Sequence, residues 1–150
     1  MGSFRFTIGD GRSTEELVAA GGYAYAHSCV TSDNFPARHS GGKRSREIVL
    51  LEFDREVTSG DAIAEAARLG LGRPLYEDAL YFGAECPDVQ RERPVVFLHD
   101  PWFGFFGRRD VVSLWTNAGR RELGLEGFDE PWRASWRFAF VRIQGRREDS

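Results

Sequence analysis

Two segments of the chain alternate between apolar and polar or small residues, the period of a strand. Phe4, Phe6 and Ile8 alternate with Arg5 and Thr7, which predicts a strand over residues 4–8 with one buried face. Trp136-Arg137-Phe138-Ala139-Phe140-Val141-Arg142-Ile143 alternates more sharply and predicts the last strand. Between them, Glu47-Ile48-Val49-Leu50-Leu51-Glu52-Phe53 carries a run of branched apolar residues that suits a central strand buried on both sides. Val95 to Leu98, opened by Pro94, and Val111 to Trp115 read as further strands. Thr116-Asn117-Ala118-Gly119 is turn material, so Arg121 to Leu125 returns as the hairpin partner of the second of these.

The helical segments lie in the first 85 residues. Ser13 and Glu16 form a capping box, which predicts a helix over 14–20 that Gly21-Gly22 ends. Thr58 and Ser59 offer N-caps with Asp61 in the first turn. Ala62, Ile63, Ala66, Ala67 and Leu69 follow at helical spacing up to Gly70. A third helix spans about 75–84 and stops at Cys86-Pro87. Gly9-Asp10-Gly11 is a turn, and Gly127 to Pro131 a loop. In residues 23–36, Tyr23 and Tyr25 alternate with alanines before turn material at Ser28, Thr31, Ser32, Asp33 and Asn34, and Arg38 to Arg46, with Ser40-Gly41-Gly42, reads as a flexible loop or hairpin tip. Gly145 to Ser150 reads as a frayed polar tail. Helices early and hairpins late predict an α+β fold, a small antiparallel sheet packed against two helices.

At 150 residues the chain has the size of a single domain, 1–150, able to bury a core without disulfide or metal. A net charge of −3 implies no polyanion partner, hence no nucleic acid. Basic charge is almost all arginine, Lys43 being the one lysine. No apolar run approaches the roughly 20 residues of a membrane helix, and Met1 to Asp10 lacks the apolar core of a signal peptide. The expectation is a cytoplasmic protein, with no membrane partner and with Cys29 and Cys86 reduced.

Chemistry-bearing motifs are few. His27-x-Cys29 is one loose pair of soft ligands, without the paired knuckles of a zinc site, so no metal and no cofactor is expected. Gly70-Leu71-Gly72 follows a helix, the wrong context for a phosphate cradle. His99-Asp100-Pro101 lies just past a strand, where an acid–base pair of a small hydrolase or transferase would sit. The most unusual segment is Trp102-Phe103-Gly104-Phe105-Phe106-Gly107-Arg108-Arg109, whose glycines break any alternation, so its rings cannot all point inward. With Trp115, Asn117, Trp132 and Arg133 it forms a candidate aromatic and arginine surface for a protein or small-molecule ligand. An oligomer that buries the aromatic loop as an interface is a further possibility. The leading expectation is a binding module, the alternative an enzyme using His99 and Asp100.

Several stretches also carry a resemblance. Ala19-Ala20-Gly21-Gly22-Tyr23, Thr31, Phe35-Pro36, the run from Leu50 to Glu65 and the run from Gly70 to Val96 are among them, with Leu114-Trp115, Trp132 and Arg137 to Arg142. Together they resemble a family of short uncharacterised proteins common in candidate-phyla bacteria, across roughly Phe4 to Ile143. That likeness implies no activity. At the level of fold, the helix followed by Gly70-Leu71-Gly72-Arg73-Pro74, the second helix and the closing Arg-Phe strand are similar to the C-type-lectin-like fold. That fold includes sugar-binding lectins, formylglycine-generating enzymes and hypervariable ligand-binding proteins. The lectin calcium motifs are incomplete here: Trp115-Thr116-Asn117-Ala118 lacks the aspartate and Glu130-Pro131-Trp132 the asparagine, so no calcium site is expected. Neither cysteine lies in the C-terminal part, where the formylglycine-generating enzymes carry theirs.

Overall fold

The computed structural model describes residues 2–37 and 42–143. Its strands are β1 (Ser3–Ile8), β2 (Tyr25–Ala26), β3 (Arg44–Glu52), β4 (Leu71–Gly72), β5 (Val95–Phe97), β6 (Trp102–Phe103), β7 (Arg109–Asn117), β8 (Arg120–Gly127) and β9 (Arg137–Arg142). Its helices are α1 (Thr14–Gly21), α2 (Ser59–Arg68), α3 (Tyr76–Glu85) and the single turn α4 (Val89–Glu92). The strands join in one sheet of order β1-β3-β9-β5-β7-β8-β2, with β4 beside β9 and β6 beside β7.

This is a mixed α/β architecture, larger than the small two-helix sheet expected from the sequence. The sheet is not purely antiparallel either, because β5 runs parallel to β9 and β2 parallel to β8. The N-terminal strands are the reason for the larger size. β1 pairs with β3, and β3 with β9, so the first and last strands of the chain close onto one sheet. β2, β4 and β6 have two residues each, too short for any hydrophobic period to show.

Both faces of the sheet are covered. On one, Ile48, Val95, Phe97, Val112, Leu114, Ala139 and Val141 pack with Leu17 of α1 and Ala79 and Phe82 of α3. On the other, Val49, Leu51, Val96, Leu98, Val111, Phe138 and Phe140 pack with Ala62 and Ala66 of α2 and with Trp132. Neighbouring residues along β5 and β9 therefore point to opposite layers. The sharp pattern of residues 136–143 is an alternation of large and small side chains between two buried layers, and its Arg137 is only 8% exposed. Arg137 donates to the carbonyls of Val89 and Arg93, and burial pulls its pKa down.

Helix boundaries follow the expected chemistry. The Ser13–Glu16 capping box is formed, and Gly22 takes the left-handed conformation at φ 62° that ends α1. Thr58 and Asp61 form a second capping box on α2. Residues 44–46, expected in a loop, belong to β3. Phe6 faces Arg46 in register, and Arg46 forks onto the fully buried Asp78 at 2.8 and 2.6 Å. Asp78 in turn accepts the Leu75 N–H at 2.7 Å and caps α3. Residues 38–41 of the expected loop lie outside the described residues, as does the expected tail 145–150.

Candidate functional site

The loop singled out in the sequence is the tip of a β6–β7 hairpin. Trp102 pairs with Asp110 and Phe103 with Arg109, and the Gly104 N–H donates to the Arg108 carbonyl at 2.8 Å. Trp102 anchors the hairpin, half-buried with its ring 5.4 Å from that of the buried Phe35. Gly104 is required there, since a Cβ would come within 2.9 Å of the Trp102 ring. Beyond this anchor the apolar residues turn outward: Phe103 is 66% exposed and Phe106 fully exposed. Phe106 sits at φ 63°, a left-handed conformation that disfavours any residue with a Cβ. The side chain of Phe105 lies outside the described atoms.

Arginines and acids rim this tip in pairs. Arg108 donates through Nε to Asp110 at 2.6 Å. Arg109 forks onto Asp129, and its guanidinium lies 5.1 Å from the centre of the Phe128 ring. The hydrogen bond from Arg109 holds the Asp129 carboxyl below the usual carboxylate range. Arg73 reaches the same Phe128 ring at 5.6 Å. Its three guanidinium nitrogens donate to the Leu98 carbonyl at 3.0 Å, the His99 carbonyl at 2.9 Å and Asp100 at 3.3 Å.

The other expected site residues do not join the tip. Trp115 and Asn117 lie at the far end of β7, about 20 and about 26 Å from Arg109 at the usual rise of a strand. Trp115 is half-buried over Gly124, where a Cβ would stand 3.0 Å from the indole nitrogen. Trp132 is not part of an open surface: it is 3% exposed and donates from Nε1 to Ser59 Oγ at 2.8 Å. Ser59 Oγ passes the bond on to the Phe128 carbonyl at 2.6 Å, so Trp132 ties the 128–132 loop to α2. Arg133 beside it is exposed.

His99 is not available as an acid or base. It is 1% exposed, and both ring nitrogens are engaged. Nδ1–H donates to the Asp100 carbonyl at 2.7 Å, and Nε2 accepts the Val112 N–H at 3.0 Å. Burial lowers its pKa to about 4, so the ring is neutral at pH 7 and bridges β7 to the segment after β5. The Asp100 side chain points to solvent, 99% exposed, against Arg73. A cleft of about 370 Å³ opens beside them, lined by Arg73 to Glu77, His99 and Asp100.

Two polar features had no sequence signal. Glu126 is half-buried and accepts from Ser113 Oγ at 3.0 Å, and burial raises its pKa. Its position inside the sheet layer follows only from the β7–β8 register, which sets Val111 against Glu126. Arg73 reads in sequence as turn material before Pro74. Its role appears only once β4 displaces β5 from β9 and leaves the Leu98 and His99 carbonyls needing a donor. No group of three or more His, Cys, Asp or Glu side chains among the described residues could hold a metal ion. No helix among them is long and apolar enough to cross a membrane. Comparison with protein-family models, with curated proteins and with solved structures finds no match to this chain.

Proposed function

We propose that this chain is a binding module whose recognition element is the β6–β7 tip, with Phe103 and Phe106 as anchors and Arg108 and Arg109 as rim. The observation that carries the reading is Phe106. A phenyl ring in full solvent buries nothing in the free chain, and its left-handed backbone opposes folding by about 1–2 kcal/mol. Rings of this kind act as anchors when a partner desolvates them. The half-buried Trp102 and the cradle at Gly104 hold the base of the tip rigid, so less ordering entropy is lost on contact. The likeness to lectin-like folds adds nothing to this reading, because the tip needs neither calcium nor the lectin motifs. The engaged nitrogens of His99 favour this reading over an enzyme that uses His99 and Asp100.

Selection of a displayed random-peptide library on the wild-type chain, with parallel selection on a Phe103→Ser/Phe106→Ser double variant, tests the proposal. Both rings are exposed, so the variant keeps the fold. Enriched peptides should bind the wild type and lose binding to the variant. Equal enrichment on both proteins, or no enrichment on the wild type, overturns the tip as the recognition element.

A further inference from the structure

Strand β5 leaves the sheet abruptly. It pairs with β7 at Val95–Leu114 and Val96–Ser113, and with β9 as far as Phe97–Ala139, beyond which β4 takes over the edge of β9. The His99 N–H then turns back onto the Phe97 carbonyl at 2.8 Å. The next stretch of β7 has no ladder partner on that side until β6 begins, where Trp102 faces Asp110 and Phe103 faces Arg109. The Val112 N–H falls in this gap, and the His99 ring fills it by accepting that bond at Nε2. One imidazole thus carries the seam across the break between β5 and β6.

The ring can do this in one form alone. Its Nδ1 meets the Asp100 carbonyl, an acceptor, so Nδ1 carries the hydrogen and Nε2 the lone pair. An imidazolium has a hydrogen on both nitrogens. Its Nε2–H would point at the Val112 N–H, two donors head to head, and the backbone group would lose its acceptor inside the protein. The surroundings sharpen the conflict. The Phe35 and Tyr76 rings stand edge-on to the imidazole at 6.3 and 5.8 Å. Arg73, which donates to the His99 carbonyl, repels further positive charge, whereas Asp100 and Asp78 draw a proton toward the ring, and burial outweighs both acids. The Asp100 side chain faces solvent, Asp78 on α3 holds Arg46, and Asp110 on β7 holds Arg108. Glu77 on α3 is buried, and Glu126 on β8 accepts from Ser113.

We infer that His99 is a proton-operated latch: protonation at Nε2 releases the Val112 N–H and lets residues 98–103 come away from β7 while the rest of the sheet stays paired. Those residues are otherwise tied by the two β6–β7 pairs, by the buried Leu98, by Arg73 on the Leu98 and His99 carbonyls, and by Trp102 against Phe35. The β7–β8 ladder, eight pairs long, and the β3–β9 ladder lie outside the opening. The latch acts within the fold and does not depend on what the tip binds.

Native-state hydrogen exchange of the full chain in low urea, followed by NMR, tests this. The Val112 amide should open with a urea slope at most about half that of the β3 and β9 amides, since freeing one segment uncovers less surface than unfolding the chain. With the ring pKa at about 4 when closed and about 6.5 when open, its opening constant should rise about 20-fold between about pH 7 and about pH 5. His99→Gln should abolish that rise. Glu126→Gln, at the half-buried carboxyl on the neighbouring strand, should keep it. If His99→Gln does not fold, the wild type decides: the His99 ring and the Val112 amide should titrate together, with shifts confined to residues 98–112. A Val112 amide with the global urea slope, an opening constant that changes less than about threefold over this range, a pH dependence lost in Glu126→Gln, or a His99 titration that leaves the Val112 amide unmoved overturns the latch.

Discussion

Arg121 is a buried cation that no carboxylate neutralises among the described residues, and its replacement gives the sharpest test of how this fold is held. The side chain, on β8, is 6% exposed. One terminal nitrogen donates to the Gly21 carbonyl. The other donates to the Gly83 carbonyl at 2.7 Å and to Gln90 Oε1 at 3.0 Å. Gly21 ends α1 and Gly83 lies in the last turn of α3, so both carbonyls sit at the negative ends of helices. The guanidinium also lies 4.7 Å from the centre of the Tyr23 ring. Tyr23 itself is wedged between the two helices. A Cβ on Gly21 would come within 2.2 Å of its ring, and one on Gly83 within 1.7 Å of its hydroxyl. Two helix dipoles, one amide and one aromatic face thus stand in for a counter-ion.

Arg121→Met keeps the bulk of the stem and removes the charge and the fork. Three acceptors then lose their donor inside the protein, each worth about 1–3 kcal/mol when left bare. Relief of the desolvation of a buried cation offsets part of this. We expect a net loss of about 2–4 kcal/mol, which at this chain length lowers the melting temperature by about 5–15 °C. Urea unfolding followed by circular dichroism measures it. Hydrogen exchange should quicken first at the C-terminal turns of α1 and α3. Tyr23→Phe serves as the control. Its hydroxyl has no hydrogen-bond partner among the described residues, and burial pushes its pKa up to about 12. Removing that hydroxyl should leave stability unchanged or slightly raised. An Arg121→Met chain within about 0.5 kcal/mol of wild type would refute the reasoning, since the helix ends would then not depend on the cation.

Two further outcomes follow from local chemistry. His99 has a folded pKa of about 4, against about 6.5 in the unfolded chain. The unfolded state therefore binds more protons between these values. The contribution is full above pH 6.5 and falls away as pH drops through about 4, by about 3 kcal/mol in total. Urea midpoints of the wild type should fall across that window more steeply than those of His99→Gln, and a His99 ring titrating near 6.5 by NMR would refute it. In the β7–β8 hairpin, the two loop residues Ala118 and Gly119 have φ of 53° and 81°, the pattern of a type I′ turn. Ala118→Asn should raise stability by about 0.5–1 kcal/mol in the same assay, and a loss would refute the turn geometry.

What the sequence revealed, and what it hid, divides along one physical line. Features fixed within a few residues were legible: the capping boxes at Ser13 and Thr58, the glycine at Gly22, the turn at Ala118-Gly119 and the apolar run of β3. Each is a contest between a local side chain and its own backbone. Features fixed by pairing distant segments were not. Arg46 reads as loop until Asp78, 32 residues away, is placed opposite it. Residues 136–143 read as a strand from their alternation, and only the arrival of α2 on the second face shows that Phe138 and Phe140 are buried as well as Ala139 and Val141. The same distinction governs the site. The aromatic tip was visible because its glycines and rings are contiguous. Trp115, Asn117 and Trp132 seemed to belong with it because an aromatic residue in a sequence carries no sign of whether it will cover a core or face a partner. Trp132 lies inward with its indole nitrogen on Ser59, and Phe106 stays outside at the tip of the β6–β7 hairpin. The long-range pairs decide which rings remain for recognition, and a reading of binding surfaces from composition alone will overcount them wherever a buried hydroxyl stands ready to receive an indole.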